Sequence, residues 1–206
     1  MAEIPILLLA AGASHRMGQA KQLLPWGKHT LIEHQVQILL KTGQPVMVVL
    51  GCLWEQAATL MEPFPLVVLN HKQWDRGMGT SIAFGIRELE EGFPRAEGAL
   101  IAQLDQPLVT ESHFKKLLSS FHPGSQQIIV SRSTSGWEGV PVLFDRHYFK
   151  ELQTLDGESG ARKIFRQHSR NTISLESRDV LEDMDTPEAY QKFQAEFNQR
   201  SGSNPV

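Results

Sequence analysis

An unbroken apolar run over residues 4–9 narrows the fold more than any other feature of the chain. A strand with one face in water alternates apolar and polar residues. The absence of alternation marks a strand buried on both faces, the kind found in parallel sheets covered by helices on each side. The run leads straight into Ala10-Ala11-Gly12-Ala13-Ser14, a string of small residues. In an open α/β sheet, the carboxyl end of a strand is where ligands bind.

The same rhythm continues downstream. Spacing predicts a helix over residues 31–40 ended near Gly43, strands over 46–50 and 66–69, a helix over 53–61 and another over 81–89. A fourth strand is expected over 99–104 and a helix over 111–121, with Thr110 as its N-cap. After residue 125 the pattern changes. Two strands, 127–132 and 140–144, flank a short polar stretch and predict an antiparallel excursion. Helices are expected over 161–167 and 187–197. The fold class is therefore α/β, a mainly parallel sheet sandwiched by helices with a small antiparallel excursion. No repeat or linker divides the chain. Residues 1–198 are expected to form a single domain, and residues 199–206 a disordered tail.

Composition excludes several classes. The formal net charge of -3 does not suit a protein that coats nucleic acid. One cysteine, Cys52, allows neither an intrachain disulfide nor a cysteine zinc site, and a buried, inert thiol is expected. The eight histidines show no paired spacing on a helix face, and none is assigned to a metal. The first residues lack a basic segment, and the apolar run over 6–11 is too short for a signal core or a membrane span. A cytoplasmic protein without nucleic-acid or membrane partners is the expectation.

The loop after the first strand carries the chemistry. Small residues let backbone N–H groups approach a phosphate, and Arg16 and Lys21 add two cations on the same loop. The Walker pattern is excluded because Gln19 follows Gly18. The dinucleotide fingerprint is excluded because Ala13 and Ser14 follow Gly12. Downstream, Gly77 and Gly79 precede a helix start, Asp105 ends a strand, and Asp183 and Asp185 are two apart before Thr186-Pro187. Each has a plain structural alternative as a cap, a turn or an acidic helix start.

The stretch Leu9 to Lys21, running on through Gln22-Leu23-Leu24-Pro25, resembles the signature of the MobA-like nucleotidyltransferases, closest to the molybdenum cofactor cytidylyltransferase branch. The resemblance spans roughly residues 4–197, with its motifs in the expected order. It implies a Rossmann-like nucleotidyltransferase fold. Leu9, Ala10, Ala11, Gly12, Ser14, Arg16, Met17, Gly18 and Lys21 would hold the triphosphate. Asn70, Gly77, Gly79 and Ser81 would help to recognise base and ribose. Arg16, Lys21 and Asp105 would be catalytic, and Asp105 and Asp185 would bind Mg²⁺, with Asp183 a weaker candidate. Gln106 stands where the family more often carries Met, and little consequence is expected from that change.

On the acceptor side, Gly139-Val140-Pro141 resembles a Gly-His-Pro motif, with Val140 in place of the usual His. Asp156 to Arg162 resembles a Gly-Asp-x-Gly-Ala-Arg loop, with Glu158 for Asp. That loop would either close over the acceptor or only cap a helix. Gly139, Pro141, Ser159 and Gly160 are the expected acceptor contacts. The implied reaction is transfer of CMP from CTP to the terminal phosphate of a molybdopterin-type cofactor, with release of pyrophosphate. Ala11-Gly12 and Ala20-Lys21 favour CTP, because the guanylyl branch carries Gly-Gly and Asp-Lys there. A molybdoenzyme or its chaperone would be a partner. The alternatives are guanylyl transfer to the same cofactor, nucleotidyl transfer to a sugar or polyol phosphate, and a nucleotide- or cofactor-binding chaperone without turnover.

Overall fold

The computed structural model describes residues 2–179 and 181–202. The first half comprises β1 (Ile6–Ala10), β2 (Pro25–Trp26), β3 (His29–Thr30), α1 (Leu31–Leu40), β4 (Val46–Leu50), α2 (Trp54–Met61), β5 (Val67–Asn70) and α3 (Met78–Gly92). Then follow β6 (Gly98–Gln103), α4 (Glu111–Ser119), β7 (Ile128–Arg132), β8 (Glu138–Asp145), α5 (Phe149–Leu152), α6 (Arg162–Gln167), β9 (Thr172–Glu176) and α7 (Pro187–Gly202).

Seven strands form one sheet in the order β5-β4-β1-β6-β8-β7-β9. β1 pairs in parallel with β4 on one side and with β6 on the other. β8 runs antiparallel to both β6 and β7, so it is the single reversed strand of the sheet. The expected excursion is therefore built into the main sheet. β9, which pairs in parallel with β7, was not anticipated. Only Ile173 and Leu175 are apolar within it, and it lies at the sheet edge with Ile173 exposed. β2 and β3 form a separate small antiparallel pair.

β1 shows why its sequence does not alternate. Ile6, Leu8 and Ala10 enter one core, and Leu7 and Leu9 enter the other. β4 and β6 divide their residues in the same way. The first core packs residues of α1, α2, α4 and α7, and the second packs α3, α5 and α6. Each fully buried aliphatic side chain contributes about 1.5–3 kcal/mol. The central strands therefore anchor everything that stands at their ends.

Local details refine the expectations. α1 starts with a capping box in which the Thr30 hydroxyl accepts from the Glu33 N–H and the Glu33 carboxylate accepts from the Thr30 N–H. Thr110 does not cap α4 with its side chain. Its N–H and hydroxyl both donate to Asp179, which ties α4 to the segment after β9. Cys52 is half-buried rather than enclosed. α7 continues to Gly202, and Arg200, expected in the tail, is helical and pairs with Glu196 at 2.6 Å. Residues 203–206 lie outside the described residues. Among the described residues, no helix is long and apolar enough to cross a membrane.

Candidate functional site

Strand order changes direction at β1. The chain leaves β1 toward β4 and β5, and returns to add β6 on the other flank. Connections diverge there and leave a crevice outside the carboxyl ends of β1 and β6. A cavity of about 380 Å³ opens at that place. Its walls include Leu9, Ala10, Ala11, Gly12, Ser14, Arg16 and Lys21 from the β1 loop, Gln103 and Asp105 from β6 and its end, and Asp185. Trp74, Asp75, Gly77, Met78 and Ser81 close it from the side of α3, and Glu158 joins them.

A charge cluster stands at its centre. The Lys21 side chain is 9% exposed, and its ammonium donates to Asp105 Oδ2 at 3.1 Å and to Asp185 Oδ1 at 2.7 Å. Arg16, largely exposed, reaches Asp185 Oδ2 at 2.8 Å. Both oxygens of Asp185 thus hold a cation. Asp105 Oδ1 is buried and has no partner among the described residues. Desolvation alone would raise the Asp185 carboxyl, but the bonds and charges of Lys21, and then of Arg16, hold it below the ordinary carboxylate range. Asp183 keeps an exposed edge, yet the protein displaces enough of its water to raise it. With repulsion from Asp105 and Asp185 added, its carboxyl is pushed up to about 6, although the Gln106 amide pulls the other way. Among the described residues, no group of three His, Cys, Asp or Glu side chains forms a complete metal cage.

The acidic segment is held by a residue whose importance sequence reading missed. Gln106 is buried, and its amide donates to the Leu181 carbonyl at 3.0 Å and to Asp183 Oδ1 at 3.1 Å. Its backbone carbonyl accepts from Gln35 on α1 at 2.9 Å. The Met184 N–H donates to the Asp105 carbonyl at 2.8 Å. These bonds carry Asp185 across the carboxyl end of β6 to meet Lys21. The expectation of little consequence at position 106 is therefore corrected: a thioether could not donate these two bonds. The available signal was a long amide next to a strand-end Asp.

Other sequence-predicted residues lie elsewhere. Met17 is buried in the first core, while Gly18 (φ +68°) and Asn70 are exposed and do not line the cavity. Gly77 and Gly79 pack against the loop 156–160. A Cβ on Gly77 would lie 2.5 Å from the Gly157 backbone, and one on Gly79 would lie 2.7 Å from the Ser159 carbonyl oxygen. The Gly79 N–H donates to the Gly157 carbonyl at 2.8 Å, so this amide of the α3 start is already engaged. Asp156 completes the seam, both of its carboxylate oxygens accepting from Arg76 Nη2. Close packing of this loop thus accounts for both glycines, and of the loop only Glu158 lines the cavity. Ser159 and Gly160 stand beside it, with Gly160 against Met78. Gly139 leaves room for the Trp137 ring, and the Pro141 carbonyl accepts from Ser131 Oγ at 2.6 Å. Neither lines the cavity.

Comparison with known proteins agrees with this architecture. The MobA-like NTP transferase domain matches residues 6–172. The molybdenum cofactor cytidylyltransferase of Escherichia coli is 22% identical over 194 residues, covering 92% of this chain and 95% of that protein. The purine catabolism protein PucB of Bacillus subtilis is 28% identical over 201 residues, covering 89% of this chain and 92% of its own. The crystal structure of Rv0371c from Mycobacterium tuberculosis superposes with a TM-score of 0.81 at 26% identity, covering 94% of this chain and 98% of that one. Rv0371c has also been solved as a complex with manganese. With its parallel sheet, its crevice at the β1–β6 divergence and a domain match across most of its length, the chain belongs to the MobA-like NTP transferase family.

Proposed function

We propose that this nucleotidyltransferase moves CMP from CTP to the terminal phosphate of a molybdopterin-type cofactor and releases pyrophosphate. The observation that carries the reading is the Lys21 ammonium set between Asp105 and Asp185 at the mouth of the β1 loop. It places phosphate-binding cations and hard oxygen donors at one point. Full-length similarity to the E. coli cytidylyltransferase supports the cytidylyl branch, as do Ala11-Gly12 and Ala20-Lys21.

The residues would act by positioning and charge. The loop N–H groups, Arg16 and Lys21 would hold the triphosphate and stabilise charge on the leaving pyrophosphate. A phosphate nucleophile needs little activation, so no general base is invoked. Asp105 and Asp185 would hold Mg²⁺. The fit is good on two grounds. Their carboxylates already converge on one cation, and Asp105 Oδ1 is a buried acceptor without a partner among the described residues. Magnesium commonly takes one or two carboxylates and completes its shell with phosphates and water. When bound, it would supply neutralisation of phosphate charge. The manganese complex of Rv0371c supports a divalent site in a relative of this fold.

The test is a matrix of each NTP against molybdopterin, sugar phosphates and polyol phosphates with Mg²⁺, reading pyrophosphate. CTP with molybdopterin is expected to give the fastest release. Asp105→Asn is expected to slow it by about a hundredfold. Release that needs a sugar phosphate and ignores molybdopterin would overturn the acceptor, and release with no pair would overturn the enzyme.

A further inference from the structure

We infer that Gln22 is a positioning residue for the triphosphate: its amide locks the peptide planes of the β1 loop so that their N–H groups are free for phosphate. The inference rests on the proposed function, which it deepens. Gln22 is 1% exposed, stands in the cavity wall, and touches no residue of the charge cluster by hydrogen bond. Its Nε2 donates to the Ala10 carbonyl at 2.6 Å and to the Gly12 carbonyl at 3.1 Å. The intervening Ala11 carbonyl accepts from the Cys52 N–H at 2.9 Å. Three successive carbonyls are thus engaged. In a planar trans peptide the N–H points opposite to the carbonyl of the same unit. Tying the carbonyls of residues 10 to 12 therefore sets the direction of the following N–H groups. The planes so tied carry the N–H groups of Ala11, Gly12 and Ala13, and those of Gly12 and Ala13 have no hydrogen-bond acceptor among the described residues.

The amide orientation follows from the same contacts. Turned over, Gln22 would press Oε1 against two carbonyl oxygens, so Nε2 must face them. This leaves Oε1 buried and without a partner among the described residues, which is the cost of holding both carbonyls with one side chain. The short helical turn Lys21–Leu23 explains the division of labour: Lys21 goes to the carboxylates and Gln22 to the loop. Fixed donors lose no reorganisation energy when the anion arrives, which is the advantage of a preorganised site.

Gln22→Glu keeps the shape and removes the donors, and Gln22→Met removes them without adding charge. Binding of CTP and of inorganic tripolyphosphate, thermal melts, and KM for the acceptor are measured for both variants and the wild type. At about pH 8, Gln22→Glu is expected to lose at least about tenfold in affinity for both anions, with acceptor KM held within about twofold. Part of the loss should return near about pH 5.5, where the buried carboxyl introduced by Gln22→Glu takes up a proton and again donates to a carbonyl. Wild type should show no such recovery. The inference is overturned if folded Gln22→Met and Gln22→Glu bind CTP within about twofold of wild type, or if KM rises equally for both substrates. Should Gln22→Glu fail to fold, Gln22→Met decides by the same affinity criterion. If wild type binds neither anion, the proposed function falls together with this inference. If wild type binds and both variants match it, only the role of Gln22 falls.

Discussion

At the scale of single residues, the site is governed by who donates to whom. Gly12 illustrates a residue that the protein itself does not require. A Cβ there would meet nothing within 4 Å. Gly12→Ala is therefore expected to leave the melting temperature unchanged while weakening CTP binding by about tenfold, because the methyl would stand where a phosphate must approach the backbone. A calorimetric titration beside a thermal melt separates the two effects. Gln106 is the opposite case. It touches no ligand-facing surface, yet it suspends Asp183 and the Leu181 carbonyl. Gln106→Glu would withdraw both donors and set a third negative charge beside Asp105 and Asp183. A loss of about 3 kcal/mol in urea unfolding is expected, the range for an uncompensated buried charge. An unchanged denaturation midpoint would show that the acidic segment is held by other bonds.

At the scale of elements, the seam between α1 and α7 contributes to the response to acid. His34 on α1 meets Phe197 of α7 and Trp26 of β2, with ring centroids 5.0 and 5.9 Å apart. Tyr190 of α7 donates to the Pro25 carbonyl at 2.7 Å. Burial lowers the His34 pKa from 6.5 to about 4, against a hydrogen bond with the Pro107 backbone that works the other way. Between those two values the unfolded chain binds a proton that the folded chain refuses. The contribution is present in full above the unfolded value, and it is lost as pH falls toward the folded one. Urea melts are expected to lose up to about 3 kcal/mol across that window. His71 and His113, also lowered chiefly by burial, act in the same direction. His34→Leu should flatten part of the slope, and a slope unchanged by that substitution would place the effect elsewhere.

At the scale of the whole molecule, the cavity lies where the two halves of the chain meet. The β1 loop comes from the N-terminal half, Asp105 from the end of β6, and Asp185 from the segment before α7. A ligand that bridges them stabilises the fold as a unit. CTP with Mg²⁺ at about a hundredfold over its dissociation constant should add about 2.7 kcal/mol, which corresponds to a rise of about 5–10 °C in Tm for a domain of this size. Omitting Mg²⁺, or replacing Asp105 with Asn, is expected to remove most of the increment. A rise of equal size in Asp105→Asn would detach the metal from this carboxylate.

Much of this was legible without coordinates. Unbroken apolar runs at residues 4–9 and 46–50 announced a sheet covered on both faces, because only double burial removes the need for polar alternation. The small residues after β1 and the cations Arg16 and Lys21 stood out as one loop, which lines the cavity in the structure, because side-chain size and charge are local properties. The order of the motifs along the chain pointed to the family. Tertiary structure alone decided the rest. That Lys21 meets Asp105 across 84 residues and Asp185 across 164 depends on strand order and on the path after β9, which no local pattern encodes. Gly77 and Gly79, expected ligand contacts by their place before a helix, also pack against the backbone of a loop 80 residues later, while Gly77 lines the cavity as well. Gln106 offered only the local hint of an amide beside a strand-end Asp; which carbonyls Gln22 and Gln106 hold is decided by the packing around them.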